Sequence, residues 1–487
     1  MRDMLLVLNF DDDASRAVTK KLRSERIFCK IVPGNISLED IQAQEPLGLL
    51  LASGASGQNP EGLDSRIPAS DIPVLALGDA AGLLLSMLGG KAGDIVFQGA
   101  VMPLNYAADP LLNGLESGER LLACAREFHL PPHVRLLAAA QETVIGFAHE
   151  SLPLYGMQLR IEQNDPESSL ILRNYAMNIC GCTTWWDDEA FVSQAVKEIR
   201  RIVGGGVAVC AMTGGLDSGV SALLAYKALG KQLKCIFIDT GLLRERESDL
   251  FLAYYRDVIG MDITRVPAQD QFLEALRGIQ DAGEKRRVII RLIQSILREE
   301  EQKLGPIAAL IRGTSCHDIM FGGGPLNPAL GETVPVIEPV RELFKDEIRR
   351  IADYLDIPAD LLSRQPFPGS GLALRILGEV TKERVDTLRA ADALFRDELL
   401  RSNAAKRLWQ YFAVLIPMPG CEEKSIICLR AVHATDRSPS YAARLPYDVM
   451  ENVTDLILRD QKSVCRVTYD LTPMNNYSDV EWQQYDS

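Results

Sequence analysis

The sequence is short of basic charge. Its 487 residues carry 52 Lys and Arg against 66 Asp and Glu, a net charge of −14. That balance excludes a duplex nucleic-acid binder, whose affinity needs a basic footprint. A nucleotide is not excluded, because backbone N–H groups and a few local cations suffice to hold a phosphate. Long apolar runs are missing as well. No stretch reaches the ~18 residues that span a bilayer. The richest run, Ala80 to Gly89, is Gly-flanked and suits a buried helix. The amino terminus places Asp3 before Leu5-Leu6-Val7-Leu8 with no cleavable pattern. It reads as a first strand, and the protein as cytoplasmic with no membrane partner. A disulfide framework is also absent. The ten cysteines are scattered, and the close pair Cys180 and Cys182 reads as reduced structural thiols.

What is present, 47% hydrophobic and 24% charged residues, is ordinary for a folded chain of this length, which divides into roughly two to four domains. Across residues 1–165, buried-strand runs at Leu5–Asn9, Gly48–Ala52 and Pro73–Leu77 alternate with helical stretches, predicting an open parallel α/β sheet. A break follows Trp185-Trp186-Asp187-Asp188, and an amphipathic stretch from Phe191 to Ile202 leads into Gly204-Gly205-Gly206. A second α/β unit then starts with strands Val207–Met212 and Lys234–Asp239, a helical run from Gln271 to Lys303 and a strand at Ile307–Arg312. The Pro- and Gly-rich segment from Arg364 to Gly371 is a structured loop before a third, α+β unit. That unit has a helix over 382–400 and strands near 425–432 and 463–471.

The strand Val207–Met212 runs into Thr213-Gly214-Gly215-Leu216-Asp217-Ser218-Gly219, and an apolar helical pattern follows to Leu229. Glycines let a backbone approach an anion, and the next helix presents unpaired N–H groups with a favourable dipole. Thr213 and Ser218 add hydroxyl donors, and Asp217 is placed to hold Mg²⁺ or to orient the loop. The Lys of a Walker loop is missing. The segment instead resembles the S-G-G-x-D-S loop of N-type ATP pyrophosphatases, with Thr213 for the first serine and Gly219 where a second hydroxyl is usual.

Further matches run nearly end to end: Cys235-Ile236-Phe237-Ile238-Asp239-Thr240-Gly241-Leu242-Leu243-Arg244, Glu284-Lys285-Arg286-Arg287, Glu338-Pro339-Val340-Arg341-Glu342-Leu343-Phe344-Lys345-Asp346-Glu347, Arg364-Gln365-Pro366-Phe367-Pro368-Gly369 and Arg466-Val467-Thr468-Tyr469-Asp470. Together they resemble the glutamine-hydrolysing GMP synthase family. The resemblance implies a multidomain α/β protein. Its parts would be a flavodoxin-like amidotransferase-type domain (1–188), an adenine-nucleotide-hydrolase-like ATP pyrophosphatase domain (189–364) and a small α+β dimerisation domain (365–487). It implies ATP and Mg²⁺ as cofactors, a purine nucleotide as substrate and a homodimer. In that reading Asp217, Ser218 and Lys345 are catalytic, with Asp217 on the metal. Thr213, Gly214, Gly215, Leu216, Asp217, Ser218, Gly219 and Asp239 bind ATP, while Arg286, Arg364, Gln365, Pro366 and Glu481 bind the substrate nucleotide.

Several positions depart from the pattern. Glutamine hydrolysis in this family needs a Cys nucleophile on a strand-to-helix elbow and a His-Pro-Glu segment. Aligned through Leu88-Gly89-Gly90, the nucleophile position is Gly78, and Arg160 stands where the histidine belongs, leaving Glu162 alone. The oxyanion loop reads Ser53-Gly54-Ala55-Ser56 instead of Gly-Gly-Pro. The family's Lys-Ser-His-His lid is absent between Pro325 and Ile337, and the lysine of its tail is missing after Leu471. Cys316 and His317 are new in Gly313-Thr314-Ser315-Cys316-His317-Asp318 and are candidates for a sulfur or proton relay. The expectation is an adenylating enzyme with a dead glutaminase and a separate sulfur or ammonia donor protein. Sulfur transfer to a GMP-like nucleotide leads. An ammonia-dependent GMP synthase acting on XMP and a catalytically silent nucleotide-binding scaffold are the alternatives.

Overall fold

The computed structural model describes residues 3–56, 60–161, 165–320, 334–362, 365, 367, 369–421, 423–433 and 441–473. They gather into two compact units, Met1–Phe191 and Val192–Ser487.

In the first unit, runs of buried aliphatics make strands β1 (Leu5–Asn9), β2 (Cys29–Pro33), β3 (Gly48–Ala52) and β4 (Val74–Leu77), which pair in parallel in the order β2-β1-β3-β4. Strands of this kind need cover on both faces. Helix Asp12–Ser24 contributes Ala17, Val18 and Leu22 to the core, and it starts where Asp11 accepts from the Ala14 N–H at 2.7 Å. The short apolar run after Leu77 is the expected buried helix, Ala80–Met87.

The sheet is not all-parallel as expected, and the departure begins after that helix. Residues 91–157 form β5 (Lys91–Tyr106), β6 (Gly118–His129), β7 (Val134–Ala140), β8 (Thr143–His149) and β9 (Leu154–Met157). Among the described residues the sheet continues from β4 as β9-β8-β7-β5-β6, parallel at the β4–β9 pair and antiparallel beyond it. These strands leave Ile95, Val96, Val101, Leu121 and Leu136 exposed. Strands β5 and β6 therefore lack the continuous buried runs that marked the first strands.

The second unit is built on β10 (Ala208–Met212), β11 (Leu233–Asp239), β12 (Ile263–Pro267), β13 (Ala309–Ile311) and β14 (Val336–Ile337), all parallel in the order β12-β11-β10-β13-β14. Met212 and Asp239 both lie at carboxyl ends of central strands, the edge where open α/β sheets bind ligands. The helical run expected over 271–303 is two helices, Gln269–Ala275 and Ala282–Leu304. The chain turns at Gly278 with φ +74° and restarts at Asp281, which accepts from the Glu284 N–H at 2.7 Å.

A second sheet pairs β15 (Gln410–Pro417), β16 (Ser425–His433) and β17 (Tyr441–Ala442) antiparallel, with β18 (Val464–Tyr469) parallel to β16. Helices Lys382–Arg401 and Tyr447–Asp460 cover it. Leu242, Phe272 and Ile289 share one buried cluster with Leu372, Phe395 and Leu429, so this sheet and the loops of the parallel sheet pack on a common core. Among the described residues no helix is long and apolar enough to cross a membrane.

Candidate functional site

At the end of β10 the chain turns through Thr213, Gly214 and Gly215 into helix Leu216–Leu229. Thr213 and Gly215 are exposed, so the turn is open to a ligand. Ser218 is buried, and its Oγ donates to the Gly215 carbonyl at 3.0 Å and accepts from the Thr213 N–H at 3.3 Å. The two hydroxyls are 3.2 Å apart. The turn is thus pre-shaped by its own side chains, with the amino end of the helix facing outward for an anion.

Lys345, the first residue of helix Lys345–Tyr354, reaches across 128 positions of sequence to make an ion pair with Asp217. Burial pushes the Asp217 carboxyl above the usual carboxylate range; Lys345 pulls it back, nearby Asp318 adds to the rise, and Arg349 opposes it. Asp318 itself accepts from the N–H and the hydroxyl of Ser315, at 2.8 and 2.7 Å. Lys345 and Arg349 are four apart on one helix, so both face the loop's carboxylate. Arg349 was missed in the sequence because nothing in its neighbourhood distinguishes it from a solvated surface arginine.

Gly219 has a packing reason. A Cβ placed there would lie 2.2 Å from the hydroxyl oxygen of Tyr255, a fully buried residue of the wide helical turn Ala253–Val258. The phenol stands where a loop side chain would have to go. Asp239 ends β11 with its carboxylate accepting from the Gly241 N–H at 3.2 Å and from Arg265 Nε at 3.0 Å. Arg265, on the neighbouring strand β12, was not singled out from sequence; the pair follows from strand register.

The remaining expected positions are spread out. Arg286 lies partly buried at the start of the second turn of helix Ala282–Leu304. Gln365 turns its side-chain oxygen to the Tyr411 N–H at 2.9 Å. Cys316 is buried, with its N–H donating to Leu343 O at 3.1 Å, so its thiol is not presented to solvent. Arg364, Pro366, Glu162 and Glu481, and the side chain of His317, lie outside the described residues. Among the described residues no group of three His, Cys, Asp or Glu side chains is arranged to hold a metal ion.

A second strand-to-helix turn, in the first unit, lies at Gly78 and Asp79 between β4 and helix Ala80–Met87. Gly78 has φ +62°, a conformation that side-chain-bearing residues rarely adopt. A Cβ there would sit 2.4 Å from the carbonyl oxygens of both Ser53 and Gly54. The Gly78 N–H donates to Met157 O at 3.0 Å and the Asp79 N–H to Gly54 O at 2.8 Å. The Asp79 carboxylate accepts from the N–H and hydroxyl of Ser56, each at 2.8 Å. Loop 53–56 thus lies directly on the turn and takes up the Asp79 N–H. Arg160 is exposed. In the same unit Cys124 is buried, its thiol pushed up by burial and by the charge of Asp79, while His129 pairs with Glu127 and His133 bonds Leu88 O at 3.1 Å. Cys180 and Cys182 sit beside buried Tyr175, and burial pushes both thiols up to about 12, which makes them poor nucleophiles and poor ligands.

Residues 397–482 match the family described as GMP synthase C terminal domain. The chain is 34% identical over 510 residues to the GMP synthase (glutamine-hydrolyzing) of Clostridium perfringens (strain 13 / Type A), covering 99% of this chain and 100% of that protein. It is 34% identical over 510 residues to the protein of the same description from Caldicellulosiruptor saccharolyticus, covering 99% of each. Among solved structures, NMN synthetase from Francisella tularensis is similar over 41% of this chain and 85% of that one, with 17% identity and a TM-score of 0.33, too low to bear on the fold.

Proposed function

The chain belongs to the glutamine-hydrolysing GMP synthase family, and we propose that it runs the ATP-dependent half of that family's reaction with a nucleophile it does not make itself. As a member it is an ATP-dependent ligase. The observation that carries the proposal is the contrast between two turns. The one at Thr213–Gly219 keeps its hydroxyls, the exposed residues Thr213 and Gly215, and the Lys345–Asp217 pair. The one at Gly78 has no side chain to attack an amide and is covered by loop 53–56.

The chemistry follows from these groups. ATP phosphates lie against the amino end of helix Leu216–Leu229, where Thr213 adds a hydroxyl donor, Ser218 holds the turn in shape and Lys345 adds a cation. A carbonyl oxygen of a purine nucleotide attacks the α-phosphorus, and the bond to the β-phosphate oxygen breaks. Pyrophosphate leaves, and the former carbonyl oxygen now departs readily as part of AMP. An external nucleophile takes its place. Asp217, with Asp318 close by, would hold a Mg²⁺ ion together with water and the substrate phosphates. Bound there, it would supply charge neutralisation for the departing pyrophosphate. Asp217 orients Lys345 toward the same anion, and preorganised charges of this sort act where negative charge develops.

Amination of XMP by ammonia from outside is one reading, in keeping with relatives described as GMP synthases. Sulfur transfer to a GMP-like nucleotide draws its support from the changed clamp residues, and the burial of Cys316 means that sulfur too would arrive on a separate donor protein. The homodimer of the family belongs to the same proposal. The test is to supply Mg-ATP with XMP, GMP or IMP, and ammonium or sulfide, and to read AMP and product by mass spectrometry. AMP with an aminated or thiolated nucleotide is expected from one pair. No AMP from any pair ends the proposal.

A further inference from the structure

Three stretches of the second unit that are far apart in sequence are bonded together beside the phosphate loop. Leu243 packs its side chain 3.6 Å from where Gly214 would carry a Cβ. The next residue, Arg244, is buried and lies over the ring of Phe367 at 4.6 Å. Arg375, with no exposed surface, lies over the same ring at 5.1 Å and over Phe412 at 3.9 Å. The backbones are tied as well, with the Leu372 N–H donating to Leu242 O at 2.8 Å and Arg389 donating to the carbonyls of Gly241 and Leu243. Behind them, fully buried Lys285 donates to Ile376 O at 2.7 Å.

This arrangement is costly as packing alone. Two buried guanidiniums share one aromatic ring, and each repels the other. Asp392 pairs with Arg244 at 3.4 Å and offsets part of that repulsion. Buried charges of this kind are often replaced by apolar side chains with no loss of stability. A flat aromatic face is what holds a guanidinium in one orientation, most firmly when the pair is desolvated. The set therefore defines geometry, and what it aligns is the segment beside the phosphate loop with the segment that carries Gln365.

We propose that Phe367 is a positioning residue: through Arg244 and Arg375 it fixes the acceptor-side residues Gln365 and 369–376 against the ATP-side segment 241–244, so that filling one substrate site favours the other. The inference rests on the reading that the acceptor nucleotide is bound by the segment containing Gln365. A ligand that orders either segment has then ordered part of the other, and the second ligand binds more tightly.

The experiment is calorimetric binding of XMP and of GMP to the full chain, with and without the non-cleavable α,β-methylene-ATP and Mg²⁺. In the wild type the ATP analogue should tighten acceptor binding by about 5-fold or more. In Phe367→Leu the ratio should fall to about 1 while affinity for the analogue alone stays within about 2-fold. Phe367→Tyr, which keeps the ring, should retain the ratio. Arg244→Lys keeps the charge without the planar face; it should lose most of the ratio and gives a second route should the leucine variant not fold. A wild-type ratio of 1, or a full ratio in Phe367→Leu or Arg244→Lys, overturns the inference. Failure of the wild type to bind either nucleotide under any condition is a different result, and overturns the functional reading beneath it.

Discussion

The turn at Gly78 and the turn at Thr213–Gly219 are built alike and behave oppositely. Each follows a buried parallel strand and opens a helix, so each offers backbone N–H groups at a helix start. At the first, the Asp79 N–H is taken by Gly54 O, Asp79 binds Ser56, and carbonyls of loop 53–54 stand where a side chain at position 78 would begin. At the second, Thr213 and Gly215 are exposed and the internal bonds from Ser218 shape the turn without covering it. A helix start is a site only while the chain leaves it uncovered. The same device serves structure in one unit and chemistry in the other.

The largest expected effect comes from removing charge at the open turn. Asp217→Asn should lower AMP formation by about 10²- to 10³-fold, as loss of one preorganised electrostatic group does elsewhere. Its stability effect has the opposite sign. Burial holds the Asp217 carboxyl above its ordinary pKa, so the native state holds that proton more tightly than the unfolded chain does, and this share of stability is lost as pH rises from the ordinary carboxylate value through the folded-state one. The neutral variant should therefore unfold at the same or a higher temperature than wild type at pH 7. A matching fall in both activity and stability would mean that Asp217 is structural.

Restoring the missing nucleophile should fail. In Gly78→Cys the new Cβ meets two backbone carbonyls and a left-handed conformation, at a cost of at least about 1–3 kcal/mol. The expected result is a lower melting temperature and no glutamine-supported turnover. Glutaminase activity in that variant would show that loop 53–56 yields, and the contrast between the turns would collapse. A smaller effect is expected at Gly219. Gly219→Ser places its Cβ against the Tyr255 hydroxyl and should cost about 1–3 kcal/mol. Adding Tyr255→Phe should recover part of that loss, as measured by a double-mutant cycle in urea. The smallest effect belongs to Cys316. Because its thiol is buried, Cys316→Ala should change turnover less than about 3-fold, by roughly the difference that about 0.6 kcal/mol makes.

Much of this was legible along the chain. Buried runs located β1, β3, β4, β10 and β11 within a residue or so, and the Gly-rich turns followed from strand-then-helix spacing. The Gly78 substitution was legible too, but its closure was not, because Ser53 and Gly54 come from another strand end. Strands β5 and β6 escaped notice because Ile95, Val96, Val101 and Leu121 are exposed among their buried apolar side chains and break up any continuous buried run. The reason for Gly219 lies in Tyr255, 36 positions on, and the partner of Asp239 is Arg265 on the adjacent strand. Cross-strand and inter-helix partners of this kind are set by tertiary packing, which local spacing does not encode. Phe367 is a further case: its motif marked a loop, while the two arginines on its ring come from different segments.

The central claim is that one turn is open and working while the other is closed. It is tested most directly by comparing ammonium chloride with glutamine as nitrogen source for the purified chain under saturating Mg-ATP and XMP. The account predicts AMP and GMP formation with ammonium and none above background with glutamine. Glutamine-supported product at a rate comparable to that with ammonium would contradict it.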